Sequence, residues 1–448
     1  MSSAIEQLGA ALSWQTFAKA DALKKRIWFT LGVLIVYRLG TYIPLAGINP
    51  DVIGEIARRN SGGILAMLDM FSGGALGRLT IMSLNLMPYI SASIIVQLLT
   101  AISPYFEALK KEGEAGRKKL NQYTRYGTVL LAALQAYGIA VGLEHGIGSS
   151  DPLVIDPGWF FRFSTVITLV GSTLFLMWLG EQITARGIGN GTSMIIYAGI
   201  VANLPQSALK TLELGRTGSL SIPIILFILL FIVAVIALIV FMEKAHRKVM
   251  IQYPKRQVGK KLFAGETSYL PIKLNSTGVI PPIFASSLLL FPTTIASFAS
   301  SDRFTWLGTV MQYLTHGNIV FMVLFASLII FFSFFYTAIV FNPEETAENL
   351  RKNGGFIPGY RPGKMTAEYF DYLLTRLTVV GSVYLAFVCL LPEFLMSQVT
   401  LNFYFGGTSL LILVSVTMDT VSQVHAHLIS YQYEGLIKKA RQKGWGGV

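Results

Sequence analysis

The sequence is poor in cysteine and in charge. Cys389 is the only cysteine among 448 residues, so no disulfide can form within the chain and no cysteine cluster can bind a metal. Charged residues make up 13% of the sequence, whereas hydrophobic residues make up 53%. A water-soluble chain of this length normally carries far more charge. The composition therefore predicts a membrane protein.

Groups suited to catalysis are also scarce. The five histidines are scattered, and the chain has neither a phosphate-binding loop of the GxxxxGK[ST] type nor a convincing Ser/His/Asp arrangement. His425 and His427 are spaced to chelate a metal weakly, but no carboxylate or cysteine stands beside them, and interfacial histidines explain the pair better. We therefore expect no cofactor, no metal and no enzymatic activity.

Apolar runs near the ~20 residues needed to cross a bilayer recur along the whole chain. Because backbone groups in lipid must bond within their own segment, runs of this length indicate helices rather than a barrel. We predict an all-α polytopic membrane protein with ten transmembrane helices. The predicted spans are 27–46, 76–100, 127–143, 163–180, 193–212, 221–242, 276–298, 318–341, 374–392 and 404–424.

The distribution of positive charge predicts the orientation. We assign 28 of the 36 lysines and arginines to the N-terminal arm, to alternate loops and to the tail after residue 424. The positive-inside rule places this set, and both termini, in the cytoplasm. Residues 1–26 lack an apolar stretch followed by a cleavage site, so we expect a short amphipathic cytoplasmic arm and no removable signal peptide.

Two long basic loops, residues 243–273 and 343–376, interrupt this apolar chain. The first has eight lysines and arginines against two glutamates. The positive-inside rule explains about half of the basic residues in the two loops. The remainder suggests that a large, negatively charged partner docks on this side. Arg361 stands apart, because the sequence YRPG places it at a tight turn, held away from the membrane.

Two features leave alternatives open. Residues 62–75 form an apolar stretch that is too short to cross and has glycines at both ends. It is either an interfacial helix that only packs or a mobile helix with glycine hinges. Only Arg38 and Asp419 fall clearly inside predicted spans, and both lie near span ends. Ion-coupled carriers usually need ionisable groups at mid-membrane, so a secondary transporter of a small solute is the weaker alternative.

Long motifs typical of one family occur along the chain in the family's order. They are DMFSGGAL (69–76), MPYISASIIVQLLT (87–100), KKEGEAGRKKLNQYTRYGT (110–128), LGEQITARGIGNGTS (179–193), GVIPPIFASSLLLFP (278–292), FNPEETAENLRKNGGFIPGYRPGK (341–364), LTRLTVVG (374–381) and FYFGGTSLLILVSVTMD (403–419). On these motifs the chain resembles the bacterial form of the SecY family, the central channel subunit of the protein translocase. So many long matches in order are not explained by chance.

The resemblance implies two inverted five-helix halves around an hourglass pore for unfolded polypeptide. The N-terminal half is 27–213 and the C-terminal half is 221–424, with an external hinge at 214–220 and a cytoplasmic tail, 425–448. Polypeptide would pass through the pore or leave sideways into lipid between the second and seventh spans. A helix at about 64–72 would be the family's plug, which favours the mobile-helix alternative. The plug residues implied are Leu65, Met67, Leu68, Met70 and Phe71.

The resemblance also implies a pore constriction and a lateral gate. An aliphatic constriction closes around any substrate and dewets when empty. By similarity, it consists of Leu86, Ile90, Ile196, Ile283 and Ile412. Amides on the gate would form bonds worth ~0.6–2 kcal/mol, weak enough for an inserting signal sequence to displace. The gate residues implied are Gln97, Gln135 and Asn275, with Ser91, Ser287 and Phe291 lining the same seam.

The family's partners would account for the basic loops. The resemblance implies docking of the SecA ATPase or of a ribosome, SecE and SecG as partner subunits, and signal sequences and nascent polypeptide as substrates, all at the bacterial inner membrane. ATP would be hydrolysed by SecA and not by this chain. Anionic phospholipids should favour the basic face. The leading contacts expected for SecA or the ribosome are Arg247, Lys255, Arg256 and Arg361.

Overall fold

The fold is helical, with a small amount of β-structure. The computed structural model describes residues 20–49, 69, 72–144, 153–217, 222–254, 256–258, 261–263, 267–298, 318–398 and 407–444. The helices of this described part are α1 (Asp21–Gly40), α2 (Met87–Ile102), α3 (Pro104–Lys111), α4 (Glu114–Glu144), α5 (Trp159–Arg186), α6 (Gly191–Arg216), α7 (Ile222–Lys244), α8 (Ile280–Phe298), α9 (Ile319–Val340), α10 (Pro343–Lys352), α11 (Lys364–Gln398) and α12 (Gly407–Gly444). The strands are β1 (His246–Gln252), β2 (Arg256–Val258), β3 (Lys261–Phe263) and β4 (Thr267–Lys273).

Many of these helices are suited to crossing a membrane. Within the described residues, six are long and apolar enough, and the number becomes seven if α2 and α3, which meet at a bend of 98°, form one span. The six are α4, α5, α7, α9, α11 and α12. A chain with this many apolar helices is a multi-pass membrane protein. The total of ten spans stays a prediction.

Several helices continue well past the predicted span limits. α4 begins at Glu114 and α11 begins at Lys364, each ten or more residues before the predicted span. α6 is unbroken from Gly191 to Arg216, although Pro205 lies inside it. Hydropathy detects only the part of a helix that is suited to lipid. The polar extensions of these helices were therefore not predicted.

The second predicted span is helical only from Met87. The residues before it, 76–86, form turns. Leu79 and Asn85 have positive φ angles of 47° and 48°, which a right-handed helix does not contain. The Leu79 carbonyl accepts a hydrogen bond from Leu45 N at 3.0 Å. These turns therefore pair with the residues that follow α1 instead of continuing a helix, and the predicted boundary is corrected accordingly.

Contacts between residues divide the chain into two compact units. Unit 1 comprises residues 1–89, 125–209 and 412–448, and unit 2 comprises residues 90–124 and 210–411. Within unit 1, α1 packs on α5, and within unit 2, α8 and α11 both pack on α9. The two inverted halves stay a prediction.

A glycine-rich turn at residues 187–191 joins α5 to α6 in unit 1. Gly191 lies so close to Gly180 of α5 that a Cβ atom at Gly191 would collide with the Gly180 carbonyl. Four backbone N–H groups at this turn donate hydrogen bonds to side-chain oxygens of the protein. These bonds hold the turn in place, and we call residues 187–191 the junction between α5 and α6. The pairs are Ile188 N with Thr30 Oγ1 (3.1 Å), Gly189 N with Gln423 Oε1 (2.8 Å), Gly191 N with Thr184 Oγ1 (2.9 Å) and Thr192 N with Asn190 Oδ1 (3.2 Å).

An ion pair connects the end of α4 to the start of α5. Arg162 donates from Nε and Nη2 to Glu144 Oε2 at 2.7 and 2.6 Å. Glu144 Oε1 also accepts a hydrogen bond from Gly158 N at 3.1 Å. The Glu144 side chain is only 6% exposed, so its charge depends on this partner.

We expect Arg162→Met to destabilise the protein by about 1–3 kcal/mol, because the buried Glu144 carboxylate loses its charged donor. The measurement is the thermal midpoint of the purified protein. Arg216→Met removes an exposed arginine at the end of α6 and serves as the control, with no change expected. Equal midpoints for the two variants would contradict the role assigned to the pair.

Candidate docking platform and channel residues

The first basic loop folds as a two-stranded ribbon. β1 pairs antiparallel with β4, in a register that places Arg247 opposite Ile272, and β2 pairs with β3 beyond it. Arg247 is exposed, whereas Val249 and Ile272 are buried. Because alternate residues of a strand point to opposite faces, Val249, Ile251 and Ile272 form an apolar inner face, at the end of which Arg247 is exposed. Lys248 and Lys273 are exposed on the outer face.

The second basic loop contains a short helix, α10, followed by a turn that leads into α11. The side chain of Asn342 caps α10 by accepting hydrogen bonds from Glu344 N and Glu345 N at 3.1 and 3.3 Å. Gly354 ends the helix with a φ of +74°, a left-handed conformation that glycine adopts without a steric penalty. Local capping residues thus account for both ends of α10.

The two loops share one apolar core. Gln252 of β1 and Phe356 of the second loop exchange backbone hydrogen bonds of 2.9 and 3.0 Å, so the ribbon is tied directly to the turn after α10. We call the described residues of 246–273 and 343–377 the basic platform. Its buried core consists of Val249, Ile272, Ala347, Ile357, Ala367, Phe370, Leu374 and Leu377. Two loops separated by residues 274–342 of the sequence therefore form a single folded surface.

Arg361 lies at an exposed turn of the basic platform, as the sequence predicts. Gly359 and Gly363, on either side, have φ angles of +91° and +109°. Thr366 Oγ1 donates to the Arg361 carbonyl at 2.9 Å, which holds the turn against α11. The Arg361 guanidinium is thus displayed on a fixed backbone, and such preorganisation reduces the entropy lost on binding.

The other two predicted docking residues, Lys255 and Arg256, belong to the first basic loop. Arg256 lies in β2, where the structure describes the backbone, and Lys255 lies outside the described residues.

The platform also has an acidic side, a cavity of about 680 Å³ between α10 and α11. Its charged lining residues are Glu344, Glu348, Arg351, Lys364, Glu368 and Asp371. Within the described part of the chain, no group of three or more His, Cys, Asp or Glu residues is arranged to hold a metal ion.

All five residues predicted for the pore constriction are described and poorly accessible. Leu86 and Ile412 are fully buried, Ile90 and Ile196 are buried, and Ile283 is partly buried. Leu86, Ile196 and Ile412 belong to unit 1, and the other two belong to unit 2. Their arrangement as a constriction stays a prediction.

Two predicted gate amides carry buried acceptors without a partner. Gln97 Nε2 donates to Ser93 Oγ at 3.2 Å. Gln97 Oε1 and Gln135 Oε1 are buried and accept no hydrogen bond from the described residues. An unsatisfied buried acceptor costs about 1–3 kcal/mol and calls for an explanation. Ser91 is partly buried and Ser287 is buried, whereas Phe291 lies in α8, where the structure describes its backbone.

Asn275 lies before α8 and not on the seventh span. Its Nδ2 donates to Glu243 Oε1 at 2.9 Å and to the Gly278 carbonyl at 3.2 Å. Thr277 Oγ1 donates to Asn275 Oδ1 at 3.0 Å. The predicted start of the span at residue 276 is corrected to Ile280, because this polar turn precedes the helix. Its role in the gate stays a prediction.

The predicted plug residues Leu65, Met67, Leu68, Met70 and Phe71 lie outside the described residues. Asp69, within the same stretch, is described. Its Oδ1 accepts hydrogen bonds from Gly77 N at 2.6 Å and from Ser72 Oγ at 3.4 Å. Burial raises the pKa of the Asp69 carboxyl.

Arg38 belongs to a cationic cluster that sequence reasoning did not find. Its Nη1 donates to the Gly73 carbonyl at 2.6 Å and its Nη2 donates to the Tyr42 hydroxyl at 3.0 Å. Arg78 also donates to the Gly73 carbonyl, at 3.1 Å, and stacks on the Tyr42 ring. Arg38 thus connects the end of α1 to Gly73 through a hydrogen bond.

The fold and these sites define the class of protein, which is a multi-pass helical membrane protein with a folded, largely basic platform. Comparison of sequences then identifies the family. The SecY family model matches residues 80–421. The protein translocase subunit SecY of Rickettsia bellii is 54% identical over 96% of this chain and 99% of that protein, and the Escherichia coli K12 subunit is 52% identical over 95% and 96%. The chain belongs to the SecY family, and the resemblance expected from its motifs is confirmed.

Solved structures share the fold. The structure of a protein-conducting channel matches with a TM-score of 0.67 and 19% identity, covering 91% of this chain and 93% of the other. Sec61 in the canine ribosome–channel complex from the endoplasmic reticulum matches with a TM-score of 0.64 and 19% identity over the same shares. At such identities the likeness establishes the fold and nothing more.

Proposed function

We propose that this chain is a protein-conducting channel of the bacterial inner membrane. It passes unfolded secretory polypeptides across the membrane and releases membrane-protein segments laterally into lipid. The observation that carries the proposal is the match to protein translocase subunits, which covers nearly the whole chain at more than half identity. A secondary transporter of a small solute gains no support from these relatives.

The pore residues support a channel for polypeptide. Each of the five predicted constriction positions carries an aliphatic side chain. Aliphatic side chains form no strong bond with a passing chain and close again by dewetting. Arg38, one of the two ionisable residues that a coupled carrier could have used, is instead bonded to the Gly73 carbonyl and the Tyr42 hydroxyl.

The gate residues support lateral release. Gln97 and Gln135, predicted to face the seam between the second and seventh spans, keep buried acceptors that no described residue satisfies. We infer that these oxygens find partners when the gate changes state or when a signal sequence lodges at the seam. Bonds of ~0.6–2 kcal/mol would bias the gate closed without locking it.

The basic platform supports docking of a motor. It joins both basic loops on one core and displays Arg247 and Arg361 to solvent. A guanidinium binds carboxylate or phosphate in a bidentate way. We propose that SecA, which supplies the ATP hydrolysis, or a ribosome docks here, with Lys255 and Arg256 as further contacts. The canine Sec61 channel, which shares this fold, was solved in complex with a ribosome. This supports the ribosome as a docking partner.

The remaining assignments follow from the same proposal. The chain would assemble with SecE and SecG, and its termini and basic platform would face the cytoplasm by the positive-inside rule. Two inverted halves, 27–213 and 221–424, would hinge at 214–220, with a plug at about 64–72. Anionic phospholipids would neutralise part of the basic face.

Photo-crosslinking tests the proposal. A photoreactive residue at Ile90 or Ile283 is expected to crosslink to a stalled secretory precursor during export, because both side chains would line its path. The same probe at Leu229, an exposed residue of α7, is the control and should label lipid or partner subunits. The channel proposal would be refuted if neither pore position gave a crosslink and the protein carried a robust flux of a small solute.

A further inference from the structure

The base of the ribbon is closed by a charged residue that no sequence motif singles out. Glu243 lies one residue before the end of α7, and its carboxylate accepts a hydrogen bond from Asn275 Nδ2 at 2.9 Å. Asn275 is only 3% exposed. Beside this bond, Leu274 N donates to the Ala245 carbonyl at 2.9 Å, which extends the β1–β4 ladder to the membrane end of the ribbon.

Asn275 also shapes the entry into α8. Its amide donates to the Gly278 carbonyl at 3.2 Å and its Oδ1 accepts a hydrogen bond from Thr277 at 3.0 Å. Gly278 has a φ of +61°, a turn that aims the chain into the helix. The side chain that bonds Glu243 is therefore the one that organises the first turn before the predicted gate helix.

α11 supports this junction from a third direction. A Cβ atom on Gly381 would lie 3.2 Å from the Leu274 carbonyl, so the helix backbone approaches closely. Tyr384, one turn later, is near enough to Glu243 to interact with its charge. Its buried hydroxyl has no partner among the described residues. Three elements of unit 2 thus converge on the Glu243–Asn275 bond.

We propose that Glu243 is a positioning residue that couples the basic platform to α8. The inference rests on the proposed channel function. With the bond intact, the ribbon and the turn before α8 move as one body, so a motor that displaces the ribbon also displaces the predicted gate helix. Without it, the base of the ribbon keeps the backbone bond between Leu274 N and the Ala245 carbonyl but loses the side-chain link from the end of α7 to the turn before α8. Docking then continues, but less of the motor's displacement reaches the gate.

The test uses the full complex in proteoliposomes with SecA, ATP and a secretory precursor. Glu243→Ala is expected to lower the maximal export rate about tenfold, the effect of losing one hydrogen bond to a charged group. The concentration of SecA that gives half-maximal export stays unchanged. Glu243→Gln retains an oxygen acceptor and is expected to keep most of the rate. Asp156→Ala, which removes an exposed carboxylate of the loop between α4 and α5, is the matched control and leaves both parameters unchanged.

Reversing the polarity of the bond gives the decisive comparison. Asn275→Asp places two carboxylates face to face and should lower the maximal rate. The double variant Glu243→Gln, Asn275→Asp restores a donor and an acceptor at this bond and should recover part of the rate, although the donor to the Gly278 carbonyl stays lost. Absence of that recovery, an unchanged maximal rate for Glu243→Ala, or a parallel loss of SecA affinity would each overturn the proposal. If the unaltered complex exports no precursor, the channel function itself fails, and the two failures are distinguishable.

Discussion

Reversing the charge of Arg361 will lower motor-driven export about thirtyfold or more at limiting SecA, because losing one partner of a charge pair that is buried at an interface costs about 2–5 kcal/mol. The guanidinium is exposed on a turn whose backbone is held by Thr366 Oγ1 at 2.9 Å. Docking energy therefore need not order this backbone first. The measurement is the initial export rate of the Arg361→Glu complex as a function of SecA concentration.

Two further variants sharpen the result for Arg361. Arg361→Lys keeps the charge but loses the bidentate fork, so an intermediate rate is expected. Lys352→Glu makes the same charge change at an exposed residue of α10 that pairs with Glu348 at 3.3 Å, and should have little effect, as surface ion pairs contribute little. The complex must remain assembled in every case. Unchanged rates for Arg361→Glu at limiting SecA would refute the docking role.

The second large effect is expected for Gly191→Ala. The added Cβ would collide with the Gly180 carbonyl, which is backbone and cannot move aside as a flexible side chain could. Relief would require α5 and α6 to separate at the turn and would break hydrogen bonds of the 187–191 junction. We expect a loss above about 4 kcal/mol, in the range of the most damaging single substitutions, seen as failure of the complex to accumulate in the membrane.

Gly171→Ala is the matched control for this prediction. Gly171 lies inside α5, and a Cβ there would meet no atom within 4 Å. Because alanine favours the helix over glycine by about 0.8–1 kcal/mol, the control should accumulate as well as the natural protein or better. Normal accumulation and an unchanged thermal midpoint for Gly191→Ala would contradict the close packing of the turn.

Features that depend on residues close together in the sequence could be predicted well. The apolar runs that became α7 and α9 are intrinsically suited to lipid, and the exposed turn of Arg361 follows from its own prolines and glycines. Boundaries were less predictable, because turns and polar extensions depend on distant partners. Residues 76–86 read as part of an apolar span, yet Leu79 bonds Leu45 from another segment. Residues 276–279 likewise read as the start of an apolar span, yet they belong to a polar turn whose Asn275 bonds Glu243 at the end of α7.

The sequence by itself determined that this chain is a helical membrane protein of the SecY family, with a basic side and an aliphatic set of candidate pore residues. Those properties reside in hydropathy, charge and continuous motifs, which need no knowledge of contacts. Only the tertiary structure decided that the two basic loops share one core through Gln252 and Phe356, and that Glu243 meets Asn275. Such contacts join residues far apart in the chain, so no local pattern encodes them, and their geometry exists only after the helices have packed.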